Sequence, residues 1–433
     1  MALQNKLFVP VTVCCMLLQI NVVAAADWSG WLGEHRNGST TEESGWPNAW
    51  PPQKIWQQDT GQGTSSPIIA GRRVYVMGWA NGNDRVQCYD ARDGRLVWSE
   101  SYESPEHARD FRGSKSHYSG PSSTPNLDRS TGLLYTLGSD GDLHCRDSRK
   151  NGVLLWERNL YDDFNPPTRP GTYSCGFVTS PLIHRDLLIV EIGGERGTVV
   201  AFDKRTGRKV WSSECQDCQG QTSGPSAVFK VSGKPCLATF TEEHLVVMRL
   251  DGDQAGRTIG QYDWKTEHSC NIATPIVLDD RVFITSAYDQ NRCALLKVKL
   301  DGLTEEFSSR LIGSRVSSPA LWQGRIYAID TTLKCLDLEA PDRTLWKGGR
   351  FGFGSVIATG DGKLVAFGLG RLQLFDAASD THDRLYRSKL LDGIGQAKDD
   401  SYPHLALGNG ILVVKDKQGH MQVFSVATGD RGS

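Results

Sequence analysis

Ala201-Phe-Asp-Lys-Arg-Thr-Gly-Arg-Lys-Val-Trp211 is the stretch on which the fold turns. Two close copies precede it, Cys88-Tyr-Asp-Ala-Arg-Asp-Gly-Arg-Leu-Val-Trp98 and Cys145-Arg-Asp-Ser-Arg-Lys-Asn-Gly-Val-Leu-Leu-Trp156, each running Asp, then Gly, then Trp. Weaker copies follow at Asp251 with Trp264, at Asp337 with Trp346, at Asp376 with Tyr386 in place of Trp, and at Asp301 with no Trp. An eighth copy is split: Val423 to Gly429 repeats the front half, and Lys54-Ile-Trp56 supplies a Trp alone. The chemistry of the phrase is local. Asp90, Asp147, Asp203 and Asp337 can each accept hydrogen bonds from the backbone of their own turn, and the Gly takes that turn's positive φ. Trp56, Trp98, Trp156, Trp211, Trp264 and Trp346 then lie against the next unit.

A second marker precedes each phrase: Ser66-Pro67, Thr124-Pro125, Ser180-Pro181, Gly224-Pro225, Thr274-Pro275, Ser318-Pro319, a degenerate Gly354-Ser355, and Tyr402-Pro403. After it comes β-branched alternation broken by a turn, as in Ile68 to Gly78 and Ile276 to Ser286. Each unit therefore reads as a four-stranded antiparallel meander, and the units recur every ~35 to 60 residues, the spacing of propeller blades with loops of unequal length. The fold expected is all-β: an eight-bladed β-propeller whose ring is closed by pairing the N- and C-terminal strands, which leaves no free sheet edge between first and last blades.

Composition narrows the function. With 48 Lys+Arg against 50 Asp+Glu over 433 residues, the chain offers nucleic acid no basic footprint. Residues 1–26 read as an export signal: Lys6, an apolar run from Leu7 to Ile20, then Ala24-Ala25-Ala26. An uncleaved anchor is the alternative; with the signal cleaved the protein is not integral to a membrane and is periplasmic or secreted. Residues 27–53 form a Trp-rich extension with Trp28, Trp31, Trp46 and Trp50, expected to pack across the side or bottom of the ring or, as the alternative, to be the partner-binding patch, and residues 54–433 form the propeller. Cys14 and Cys15 fall within the signal, leaving nine of the 11 cysteines. Cys88, Cys145 and Cys335 sit in similar contexts and read as core. Cys215 and Cys218 form a lone CxxC, either a local disulfide or two thiols, with half the donors a zinc site needs.

The repeated phrase resembles the tryptophan-docking motif of the pyrroloquinoline-quinone-like (PQQ-like) repeat, and the chain from about Trp56 to Gly429 is similar to that eight-bladed superfamily. The resemblance implies one of two functions. One branch holds quinoprotein alcohol dehydrogenases using PQQ and calcium; the other holds BamB-like scaffolds of outer-membrane β-barrel assembly, which bind no quinone. In the enzymes, as the resemblance implies, the quinone lies between a Trp and a disulfide of adjacent cysteines, over calcium, beside a catalytic Asp. The only adjacent cysteines here are Cys14 and Cys15. The expectation is therefore a non-catalytic, BamB-like scaffold with no catalytic, cofactor or metal residues. Its alternatives are a quinoprotein dehydrogenase with PQQ and calcium in an atypical site, and a glycan- or small-molecule-binding propeller.

A propeller usually works through the blade-to-blade loops that meet over its axis, and here these are long, at 102–122 and 162–179. The candidate interaction face comprises Arg112, His117, Tyr118, Tyr173, Asn271, Arg315, Phe353 and Tyr402, with protein partners expected there.

Overall fold

A computed structural model describes residues 26–48, 50–113, 118–169, 174–218, 223–288, 291–389, 391–394, 402 and 404–426. Residues 1–25 of the expected signal lie outside that set. The described strands form eight antiparallel sheets of four, arranged as an eight-bladed propeller. Blade 1 consists of Ile68–Ala70, Arg73–Ala80, Asn83–Asp90 and Leu96–Glu103. Blades 2 to 7 repeat that order over 126–159, 182–212, 229–263, 276–309, 320–348 and 355–387. Blade 8 takes three strands from 404–425 and its outermost from Gln53–Asp59, which pairs antiparallel with His420–Ser425. The split copy in the sequence is thus the ring's closure.

The docking residue occupies one register position in every blade. A β-bulge interrupts the pairing of the third and outermost strands, placing Trp98 opposite Cys88, Trp156 opposite Cys145, Trp211 opposite Ala201 and Trp346 opposite Cys335. The same bulge puts Trp56 opposite Val423, Tyr386 opposite Leu374 and Phe307 opposite Leu295. A bulge locally sharpens the strand's twist, and here its extra residue, Leu155 or Val210 for instance, is left on the outer surface while the following ring turns to the neighbouring blade.

Two assignments shift. In blade 4 the docking position is held by Gly260, opposite Val247. Trp264 lies beyond the strand, fully buried, with the Arg292 guanidinium of blade 5 at 4.1 Å from its ring; it joins blades 4 and 5 from a different place. Counting two residues on from the bulge partner, the turn Asp of blades 4 and 5 is replaced by Arg249 and Lys297, so Asp251 and Asp301 stand outside the repeat. Ion pairs still tie down both positions, Arg249 with Asp251 at 2.7 Å and Lys297 with Asp280 at 2.5 Å. Elsewhere the turn chemistry is as expected. One carboxylate oxygen each of Asp90, Asp147, Asp203 and Asp337 accepts a backbone N–H two residues on, at 2.9–3.1 Å.

Residues 26–45 of the Trp-rich extension lie inside the ring, along its axis, and not against its side, whereas Trp46 and Trp50 pack in one cluster with Leu385, on the outermost strand of blade 7, and Leu391, as expected of a segment crossing the outside. The extension enters at the face carrying the first turn of each blade, where Ala26 O accepts the Asn409 N–H at 3.0 Å and the Asp27 carboxylate accepts the Gly71 N–H at 2.8 Å. Trp28 pairs with Ile69 of blade 1 and Ser29 O accepts from Leu127 of blade 2. The Arg36 guanidinium donates to Ser180 O and Pro181 O of blade 3 and Pro225 O of blade 4. Trp31 Nε1 donates to Thr274 Oγ1 of blade 5 at 2.8 Å. The chain then returns past blades 6 and 7, where Asn37 O and Gly38 O accept from Leu321 and Ala358, and reaches blade 8, where Glu42 accepts from Gly410. Twenty residues of plug thus bond to all eight blades. The reason is hydrogen-bond accounting: innermost strands turn their free edges to the axis, and those buried groups need partners.

Candidate functional site

On the opposite face the markers that open each blade draw the ring together. The Ser66 N–H donates to Thr124 Oγ1, the Thr124 N–H to Ser180 Oγ, and the Thr274 N–H to Ser318 Oγ, at 2.9–3.1 Å, each across a blade junction. Between blades 3 and 5 the girdle continues through backbone, Ser180 N–H to Ser223 O and Ser223 N–H to Ile272 O. Gly224 lacks a marker hydroxyl for a steric reason, since a Cβ there would stand 2.3 Å from Arg36 Nη2.

Above the girdle lies a blind axial pocket of about 70 Å³ whose floor is the Trp31 indole. Thr64, Ser122, Val178, Ser223, Ile272 and Val316 line its wall, one from each of six blade entrances, with Tyr118, Cys175, Tyr402 and His404 completing it. Among the described residues that line it, none is a carboxylate. Positive side chains lie close behind this lining and at its mouth. Arg36 is fully buried against its three carbonyls, and burial lowers it to about 9. Lys415, also buried, donates to Gly63 O at 2.5 Å and is lowered by burial to about 8. Arg315 is exposed at the mouth. Burial, aided by Lys415, lowers His404 to about 3, so its imidazole is neutral at physiological pH.

Four of the expected face residues meet at this mouth. Tyr118 and Tyr402 have ring centroids 5.9 Å apart, Tyr402 and Phe353 5.4 Å, and the Arg315 guanidinium lies 5.2 Å from the Phe353 ring. Arg315 also covers Tyr288 at 5.7 Å, and Lys417 Nζ lies 5.3 Å from the Tyr402 ring. The result is an aromatic ladder, half-buried and interleaved with cations, running over blades 5 to 8 and reaching the loop before blade 2. Burial raises the phenols of Tyr118 and Tyr288, which stay protonated.

The other expected residues do not join it. Asn271 is 0% exposed and donates its amide to Thr241 O, Glu242 O and Trp264 O at 2.9–3.0 Å, a clamp on the chain leaving blade 4. Arg112 bridges Ser174 through its backbone and donates its guanidinium to Arg169 O, bracing the two long loops against each other. His117 and Tyr173 lie outside the described residues. Sequence reasoning offered Trp31 only within the alternative Trp patch and missed Tyr288 and Lys417. Tyr288 and Lys417 sit in turns between strands of one blade, and nothing in the repeat marks those turns as neighbours of the axis.

The quinone reading requires hard oxygen ligands for calcium and a vicinal cysteine pair. Among the described residues, the pocket's lining has no carboxylate and no cysteine pair, and no three His, Cys, Asp or Glu side chains converge as a metal ion would need. These residues do not fit that group. All nine described cysteines, Cys215 and Cys218 included, are thiols.

Blade count, docking bulge and terminal closure define a PQQ-like eight-bladed propeller with a plugged axis. The family model described as outer membrane protein assembly factor BamB matches residues 52–169 and 130–347, and the chain belongs to that family. It is similar to the curated BamB of Kangiella koreensis, 24% identical over 243 residues, covering 55% of this chain and 52% of the relative. It is also similar to that of Burkholderia pseudomallei, 28% identical over 171 residues, 37% of this chain and 33% of the relative. The chain thus spans about half the length of the first and a third of the second. The crystal structure of BamB from Moraxella catarrhalis superposes with a TM-score of 0.58 at 12% identity, covering 86% of this chain and 99% of that one, a likeness of fold.

Proposed function

We propose that this chain is an exported, non-catalytic propeller that holds a protein partner on its axial rim, a scaffold of the kind its relatives' name associates with outer membrane protein assembly. The observation that carries this reading is the ladder Tyr288, Arg315, Phe353, Tyr402 and Tyr118. Tyr and Arg set around a desolvated pocket are the composition of binding hot spots, and fixed rings lose little entropy when covered. No helix among the described residues is long and apolar enough to cross a membrane.

The test is site-specific photo-crosslinking in an exporting host, with the photoreactive residue at Phe353 or, as control, at Val153 on the outermost strand of blade 2. The reading expects a discrete crosslinked partner at Phe353 that is absent at Val153. Equal labelling at both would remove the rim from consideration. Titration with PQQ and calcium is expected to change neither absorbance nor melting temperature; stoichiometric uptake would restore the dehydrogenase reading.

A further inference from the structure

We infer that the axial pocket receives the side-chain carboxylate of a Glu or Asp on a partner's peptide segment, whose flanking residues lie across the aromatic ladder. This rests on the scaffold reading and deepens it by giving the partner a chemistry.

The pocket's charge is the argument. Arg36 and Lys415 are both buried beside it, and among the described residues neither forms an ion pair with a carboxylate; each is held by carbonyl oxygens alone. Both lie close to the floor and wall. A Cβ on Gly224 would stand 2.3 Å from Arg36 Nη2 and 3.4 Å from Trp31 Cδ1, and Gly224 follows the wall residue Ser223. Lys415 is the strand partner of the wall residue His404, and its Nζ bonds the carbonyl preceding Thr64. Arg315, exposed between Tyr288 and Phe353, forms no ion pair among the described residues either. Arg36 is offset by carbonyl dipoles and Lys415 by carbonyls and the more distant carboxylates of Asp416 and Asp59, with no direct ion pair for either. Behind a described wall without carboxylates they create a positive potential that low-dielectric walls concentrate at the mouth.

Their desolvation is already complete in the folded protein, so an entering anion meets preorganised positive charge. Size selects the source. About 70 Å³ holds on the order of five waters, a size that suits the end of one acidic side chain. The ladder outside then offers apolar rings to the residues either side of that acid.

The experiment uses capped tetrapeptides, acetyl-Gly-Tyr-Glu-Gly-amide and its Gln counterpart, titrated calorimetrically into the full chain at low and at raised salt. The Glu peptide is expected to bind at least tenfold more tightly than the Gln peptide, with the difference shrinking as salt rises. Val316→Trp, which fills the pocket, and Arg315→Ala, at its exposed mouth, should each reduce that discrimination at least threefold. Equal affinities for the two peptides, or discrimination unchanged in both variants, would overturn the inference. So would free glutarate binding as tightly as the Glu peptide and indifferent to Phe353→Ala, which would make the ligand a small dicarboxylate. If the peptides fail while the Phe353 crosslink persists, only the acidic chemistry falls; loss of the crosslink as well removes the scaffold reading.

Discussion

The indole of Trp156 lies over the α-carbon of Gly207: a Cβ built on that glycine would stand 2.7 Å from the ring. The same pairing joins Trp98 to Gly152, Trp56 to Gly94 and Trp211 to Gly256, always from one blade to the next. The glycine of the repeated phrase thus does two jobs. It takes a positive φ, +69° at Gly207, and it is the seat of its neighbour's tryptophan.

That double role predicts that Gly207→Ala destabilises by about 2–4 kcal/mol, the left-handed strain plus displacement of the ring. Gly71→Ala, also at positive φ but with nothing within 4 Å of its Cβ, should cost only about 1–2 kcal/mol. Urea midpoints of the two variants measure the difference, and equal losses would show that the seat contributes nothing.

The junction of blades 1 and 2 should make stability depend on pH. Burial, offset in part by the Tyr102 hydroxyl and reinforced by Asp142 and Asp140, raises Asp84 to about 7. The unfolded carboxyl titrates near 4, so between about pH 4 and 7 the native state binds the extra proton and stability falls as pH rises. Asp84→Asn should remove that slope and raise stability at pH 7.5 by a few kcal/mol. Melting temperatures of the two proteins at pH 5 and pH 7.5 check it.

Deleting residues 26–45 removes Trp28, which is 1% exposed, and leaves inner-strand groups without their partners. A loss of well over 5 kcal/mol is expected from one large buried aromatic and several buried hydrogen bonds. Arg315→Ala, at the exposed mouth, should change stability by less than about 0.5 kcal/mol. A truncated chain that melts with the intact one would show that the plug is not part of the folded unit.

Native thiol labelling should be slow and confined to one site. Burial raises the thiols of Cys88, Cys145 and Cys335 to about 12, and all three are 0–1% exposed. Among the described cysteines, Cys218 alone is half-buried, raised by burial and Glu242 to about 11. Mass spectrometry after brief alkylation should find one adduct, abolished in Cys218→Ser.

The ring was legible in the sequence because blades 1 to 3 repeat the same local physics, an Asp that closes its own turn, a glycine at positive φ and a Trp turned to the neighbouring blade, and the other blades keep parts of it. Legibility stopped where tertiary register replaced local pattern. Phe307 docks blade 5 without a recognisable phrase, and Trp264 mimics the motif four residues past the position that Gly260 fills. Half of the candidate face was visible, since Tyr118, Arg315, Phe353 and Tyr402 lie in loops that the repeat places over the axis. Asn271 was misplaced because a loop asparagine that clamps three carbonyls looks, in one dimension, like one that faces solvent. The axial position of Trp31 was out of reach, as nothing in its neighbourhood specifies that the segment threads the ring.

The closure of blade 8 has a temporal consequence. Gln53–Asp59 leaves the ribosome among the first segments and cannot take its place until His420–Ser425 exists, more than 350 residues later. The plug waits equally long, since its eight sets of partners span the chain. Seven blades can form in order of synthesis, but the cooperative native ring is reached only after the last strand is made, so the unfinished protein must carry an open sheet edge and an unfilled axis throughout its synthesis. A chain built this way is one whose early residues need shielding until its late ones arrive.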